Sequence, residues 1–175
     1  MQIPGQVGIY DDSFNLNCVG DTFQSLGSPT ILFEAGHYQN DYARDITREF
    51  IYQSLLISIL TISKGFQVSD GLKNYQMIPQ NQKRFYDIII RNALLINESK
   101  VDIGVVYKET LIEKNIEFHP KIEKIGDLNN YYGHLEVNAN NVAVLTHKKK
   151  DVFEGYANDF VYINDELFSL KLINS

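Results

Sequence analysis

Between Pro29 and His37 the chain reads P-T-I-L-F-E-A-G-H, and from Ala43 to Ser63 it continues as a long apolar-rich segment. Four consecutive residues suited to a buried strand, Thr30 to Phe33, run into a carboxylate, Glu34, and Gly36 then lets the chain turn sharply. The segment that follows has a helical period. Ile46, Phe50, Gln53, Ile57 and Leu60 recur at three- and four-residue steps, with Ile51, Leu55, Ile59 and Ile62 as a neighbouring stripe. So wide an apolar surface calls for burial from two sides, and at roughly 1.5–3 kcal/mol per large aliphatic side chain it would be a main source of stability. Asn40 or Asp41 is placed to cap this helix and Asp45 to favour its first turn, whereas Arg44 and Arg48 oppose the helix dipole and call for acidic partners or another use. A carboxylate at the end of a strand in an α/β unit sits where ligands gather, which makes Glu34 the first functional candidate. The alternative is a solvated or ion-paired surface glutamate.

The rest of the chain reads as a second, β-rich part. Asp21 to Leu26 is a short helix closed by Gly27, and Gln67 to Gln76 is a linker by composition. Pro79 to Tyr86 is read as one or two helical turns. The β-branched run from Asp87 to Leu95 predicts a strand, and Val101–Ile112 and Ile116–Ile125 predict two long strands joined by a turn. In the latter, Ile116, Phe118, Pro120 and Ile122 alternate with Glu117, His119, Lys121 and Glu123, so His119 points outward with the charges. Shorter strands follow at Tyr132–Asn138 and Val142–Leu145, then a closing hairpin from Phe160 to Ile163 and Leu167 to Ile173. The expectation is a mostly antiparallel sandwich or barrel.

Composition removes several function classes. A net charge of −6 with a sequence pI near 5.2 gives no basic footprint for nucleic acid, and Lys148-Lys149-Lys150 is the one basic cluster. Cys18 is the only cysteine, so neither an internal disulfide nor a cysteine-based metal site within one chain is available. The most hydrophobic stretch, Ile51 to Ile62, is interrupted by Gln53, Ser54, Ser58 and Thr61, so no membrane span is expected. The residues Met1 to Gly5 have neither the charged nor the apolar region of a signal peptide, and a cytoplasmic location is expected.

Gly20-Asp21-Thr22-Phe23-Gln24-Ser25-Leu26-Gly27, then Thr30 to Gly36, then the long helix resembles the closing part of the zinc carboxypeptidase family, the carboxypeptidase A-like metallopeptidases. The similarity covers roughly residues 3 to 64. The resemblance implies an α+β fold: a truncated C-terminal portion of an α/β carboxypeptidase-like domain over residues 1–66, a linker over 67–79 and a β accessory domain over 80–175. It also implies that Glu34 is the general base and acid acting on a zinc-bound water. Tyr10, His37 and Arg44 are carried as substrate-binding candidates. Tyr10 lies upstream of Glu34 at nearly the family's spacing, and Arg44 is a cation for an anionic substrate end. His37, three residues past Glu34, could instead serve as a proton shuttle, a metal ligand or a plain loop residue.

The family's zinc ligands, an H-x-x-E motif and a later histidine, precede the catalytic glutamate. Here all four histidines, His37, His119, His134 and His147, follow Glu34, and no H-x-x-E occurs. Two readings follow. In one, zinc and a peptide or amide substrate belong to a longer parent protein whose missing N-terminal catalytic segment supplies the ligands, and this chain binds no metal alone. In the other, the β part is a non-catalytic module that binds a protein, peptide or glycan. A strand at Thr30–Phe33 without its neighbours would expose an edge, so self-association of the isolated chain is expected.

Overall fold

A computed structural model describes residues 7–11, 13–39, 41, 43–65 and 71–171. The fold is mixed α+β with a mostly sheet core, and the chain divides into two compact units, Met1–Lys83 and Arg84–Ser175. No helix among the described residues is long and apolar enough to cross a membrane.

The first unit is helical. Helix α1, Val19–Ser25, ends where Gly27 enters the left-handed region (φ 85°) and Ser28 N–H returns to the Phe23 carbonyl at 3.0 Å, the closure expected of that glycine. Helix α2 spans Asp45–Ser63. Its start is fixed by Asp41, which is buried and accepts the backbone N–H groups of Ile46 (3.1 Å) and Thr47 (2.8 Å) and the Thr47 hydroxyl (2.8 Å). A carboxylate four residues ahead of the helix thereby satisfies donors that the first turn leaves open. Burial would raise its carboxyl, but the bonds from Thr47, Ile46 and Asp45 outweigh that and hold it below the ordinary aspartate value. Asn40, the other candidate cap, lies outside the described residues. Arg48 finds its acidic partner in Asp45 and also donates to the Ala43 carbonyl at 2.8 Å.

Four expectations for this part of the chain need correction. Thr30 to Phe33 joins no sheet among the described residues, and Ile31 and Leu32 are more than half exposed. A parallel strand exists only through its neighbours, and among the described residues none lies beside this one. Helix α2 does not bury its apolar surface: Leu55, Leu56, Ile57, Ile59, Leu60 and Ile62 are all exposed, and Thr47 is its one buried residue. These side chains surround the helix, an arrangement suited to a core helix enclosed by other elements. The expected linker contains helix α3, Gly71–Gln76, while Phe66 to Asp70 lies outside the described residues. Pro79 to Tyr86 is extended rather than helical, because its first residues bond the N-terminal segment and its last ones pair in a sheet. Ile9 N–H donates to the Pro79 carbonyl (2.8 Å), and Asn81 N–H to the Ile9 carbonyl (2.9 Å).

The second unit holds two sheets over one core. Strands β1 (Phe85–Leu94), β2 (Lys100–Ile112), β3 (Asn115–Gly126) and β4 (Tyr132–Asn138) form the first, in the order β3-β2-β1-β4. Strands β5 (Val144–Leu145), β6 (Phe160–Ile163) and β7 (Glu166–Ser169) form the second, with a turn at Asn164 and Asp165, both at positive φ as a two-residue hairpin requires. The strands pair mostly antiparallel, as expected, and β4 alone returns parallel, beside β1. Ile88-Ile89-Ile90 explains why β1 is central: Ile88 and Ile90 enter the core shared with Val144, Val161 and Leu170, while Ile89 joins Tyr86 and Leu128 on the opposite face. A strand buried on both sides reads as a continuous apolar run.

Gly104 of β2 lies beneath the Tyr86 ring, and a Cβ there would stand 2.9 Å from ring carbon Cε1. Gly104→Ala therefore destabilises the protein by about 1–3 kcal/mol, read as a lower urea midpoint at unchanged slope. An unchanged midpoint would show that the ring is free to move.

Candidate functional site

The residues singled out around Glu34 fall in two places. Glu34 lies in the irregular stretch after α1, with its side chain in solvent, not at a strand end as expected. Arg44 is drawn to the same turn: it takes the left-handed conformation (φ 62°), and its Nη2 donates to the carbonyls of Ala35 (2.6 Å) and Gly36 (2.8 Å). The guanidinium thus ties the turn following Glu34 to the head of α2, and Nη2 is engaged there rather than presented to a substrate carboxylate. His37 is exposed on the same turn. Tyr10 is half exposed and lines a different depression, with Ile9, Asp11, Tyr75, Gln80 and Asn81, in which none of Glu34, His37 or Arg44 takes part. Among the described residues no group of three or more His, Cys, Asp or Glu side chains could hold a metal ion.

A polar cluster that sequence reasoning missed lies in the second unit. At Arg91-Asn92 the β1–β2 ladder slips, so that both residues stand against Asp102 alone, and Asn92 adopts φ 54°. The bulge turns Arg91 toward three elements. Its Nε and Nη2 grip Glu136 Oε2 (2.9 Å) and Oε1 (3.0 Å), and Nη1 reaches Asp102 Oδ2 (3.0 Å). The remaining donors meet the carbonyls of Leu128 and Tyr131, both at 2.7 Å. All five guanidinium N–H groups are occupied. The carboxylates are shared in turn, Asp102 Oδ1 taking Asn92 N–H (2.9 Å) and Glu136 Oε1 taking Gly133 N–H (3.0 Å).

The bond to Glu136 lifts Arg91 further above its ordinary value against the opposing effect of burial. Burial pushes Glu136 up, but the Arg91 and Gly133 bonds and the Arg91 charge prevail and hold its carboxyl below the usual range. A polar depression opens beside the cluster, lined also by Asn92, Asn129, Val137 and Asn138. With every donor satisfied, Arg91 is a clamp joining β1, β2, β4 and the 128–131 loop, and not a group free to bind an anion. The sequence signal was a charge and an asparagine directly after three isoleucines, a break in an apolar strand that a bulge resolves.

Compared with family models, curated proteins and solved structures, the chain matches none.

Arg91→Met leaves two partly buried carboxylates and two carbonyls without their donor and costs about 3 kcal/mol of stability at neutral pH. Because the folded value of Glu136 is depressed, its contribution is present above about pH 4.5 and is lost as pH falls through the lower folded value. The gap between the wild-type and Arg91→Met urea midpoints therefore narrows in acid. A gap that stays constant with pH would remove Glu136 from this account.

Proposed function

We propose that residues 1–66 are the closing segment of the catalytic domain of a carboxypeptidase A-like hydrolase belonging to a longer protein, with the β unit as its accessory domain. In this reading Glu34 is the general base that takes a proton from the attacking water and returns it to the leaving amine of a peptide or amide substrate. The observation that carries it is the Arg44 bridge to the Ala35 and Gly36 carbonyls, which holds the turn after Glu34 against the head of α2. Arg44 is then a positioning residue. The apolar circumference of α2 supports the same reading, since such a helix belongs inside a layered domain.

The resemblance implies zinc, and the described residues do not fit it, as no ligand cluster forms among them. In this reading the zinc ligands, like the sheet that would flank Thr30–Phe33, belong to the parent protein. A second reading, in which the β unit is a non-catalytic binding module, is favoured by one observation: the Glu34 side chain faces solvent on an irregular segment, not a cleft.

The two readings part on the coding sequence upstream of Met1 and on one variant. An in-frame H-x-x-E followed by a later histidine is expected. In the protein so encoded, Glu34→Gln lowers hydrolysis of a peptide's C-terminal residue by about 10²–10⁴-fold, with the fold and bound zinc retained. Full activity in Glu34→Gln, or an upstream sequence without those ligands, would overturn the hydrolase reading and leave the binding module.

A further inference from the structure

Beyond the reach of β1, the β2–β3 hairpin continues as a two-stranded arm. Its ladder pairs run from Lys108↔His119 to Ile112↔Asn115 around a tight turn at Glu113-Lys114. Its large apolar side chains stand in solvent: Leu111, Ile112, Ile116 and Phe118 are all exposed. An isolated two-stranded ribbon is marginally stable in water, and an exposed edge is a template for another strand.

The hydrogen-bond parity of β3 shows which residues offer that edge. Ile122 turns both backbone groups outward, its N–H to the Tyr156 carbonyl (2.9 Å) and its carbonyl to Gly155 N–H (2.8 Å). Tyr107, opposite Pro120, sends its N–H away from β3 to Asp87 Oδ2 (2.6 Å). Positions 120 and 122 therefore face outward. With no slip in the β3 register between 115 and 122, the same parity turns the backbone groups of Ile116 and Phe118 to the open side. Among the described residues neither has a partner there. The edge is limited at one end by Pro120, which has no N–H to offer, and beyond it by the 154–157 loop that already covers Ile122.

This short edge is complementary to itself. Two copies laid antiparallel about an axis through Glu117 bring Ile116 of each opposite Phe118 of the other. Both residues have outward-facing backbone groups, so each such pair exchanges both of its hydrogen bonds. Leu111 and Glu109 lie on the same face as Ile116 and Phe118, being their cross-strand partners, so the apolar side chains of the two arms meet in one patch. A register shifted by one residue would set outward-facing groups against inward-facing ones and lose the ladder. We propose that the β3 edge from Asn115 to His119 is a homodimerisation surface, its occupant the same edge of a second copy. One element opposes it. The two Glu117 side chains face each other across the axis on the other side of the ribbon, each beside its own His119 at 3.4 Å.

Sedimentation equilibrium of the full chain tests this, together with amide exchange of Ile116 and Phe118. The 20.1 kDa chain is expected to shift reversibly toward twice that mass as concentration rises, with the two amides becoming protected in parallel. Phe118→Pro removes an outward donor and leaves the inner ladder of Glu117 and His119 intact, so it yields a monomer. Should that variant fail to fold, the exchange of the wild-type amides still decides the matter. Glu117→Gln relieves the like-charge contact and tightens the dimer by about twofold to fivefold. A monomer at all concentrations would overturn the proposal, as would an edge covered within the same chain. So would association that persists in folded Phe118→Pro, or that proceeds through α2 with both amides unprotected.

Discussion

The second unit is built around the way one guanidinium resolves a conflict between sequence and sheet. Strand β1 is buried on both faces through Ile88 to Ile90, and an arginine directly after such a run would leave its charge against apolar side chains. The bulge at Arg91-Asn92 rotates it out of the ladder and into a cage of two carboxylates and two carbonyls. The pairing in that cage links β1 to β2 through Asp102 and to β4 through Glu136. The parallel β1–β4 junction, where the sheet departs from simple hairpin connectivity, is therefore held by side chains as well as by its ladder. Neither carboxylate alone would satisfy the guanidinium fork, and neither would be content there without it.

How much of this was legible depends on how local the cause is. The strands of the second unit were readable because β-branched alternation and turn residues are short-range signals; β4 starts and ends where its composition says it should, at Tyr132 and Asn138. The bulge, the parallel return of β4 and the Arg91 cage were not readable, because each joins residues ten or more positions apart that share no pattern. In the first unit the difficulty is of another kind. The helix at Asp45–Ser63 was visible from its period, and its cap was narrowed to Asn40 or Asp41, of which Asp41 bonds its first turn. The strand at Thr30–Phe33 was equally visible as composition but has no partner among the described residues, and strand character without a neighbour yields only extended chain. Of the candidate site, the closeness of Arg44 to the turn after Glu34 was not foreseen, since it depends on a left-handed residue at the helix head that no arginine announces.

The two units stand in different positions energetically. Arg84–Ser175 has a continuous buried core with contributions from both of its sheets. Met1–Lys83 has almost none: its buried residues among those described are Asp41 and Thr47, which hold a helix start rather than a hydrophobic interior. Local hydrogen bonds, such as those from the hydroxyls of Ser54, Ser58 and Thr61 back to the preceding turn, order α2 without anchoring it. Marginal stability of the first unit on its own is the consequence.

The parallel return of β4 also bears on the order in which the sheet can assemble. The β2–β3 ladder closes across a two-residue turn, whereas β1–β4 joins Phe85 to Tyr132 across the whole intervening hairpin. Loop closure over that span comes at an entropic cost that only a formed hairpin can shorten. The Arg91–Glu136 pair therefore belongs to the last step of sheet assembly, and its loss falls on the unfolding limb of a chevron rather than on the folding limb. The clamp acts as a latch, setting how long the sheet stays closed more than how quickly it closes.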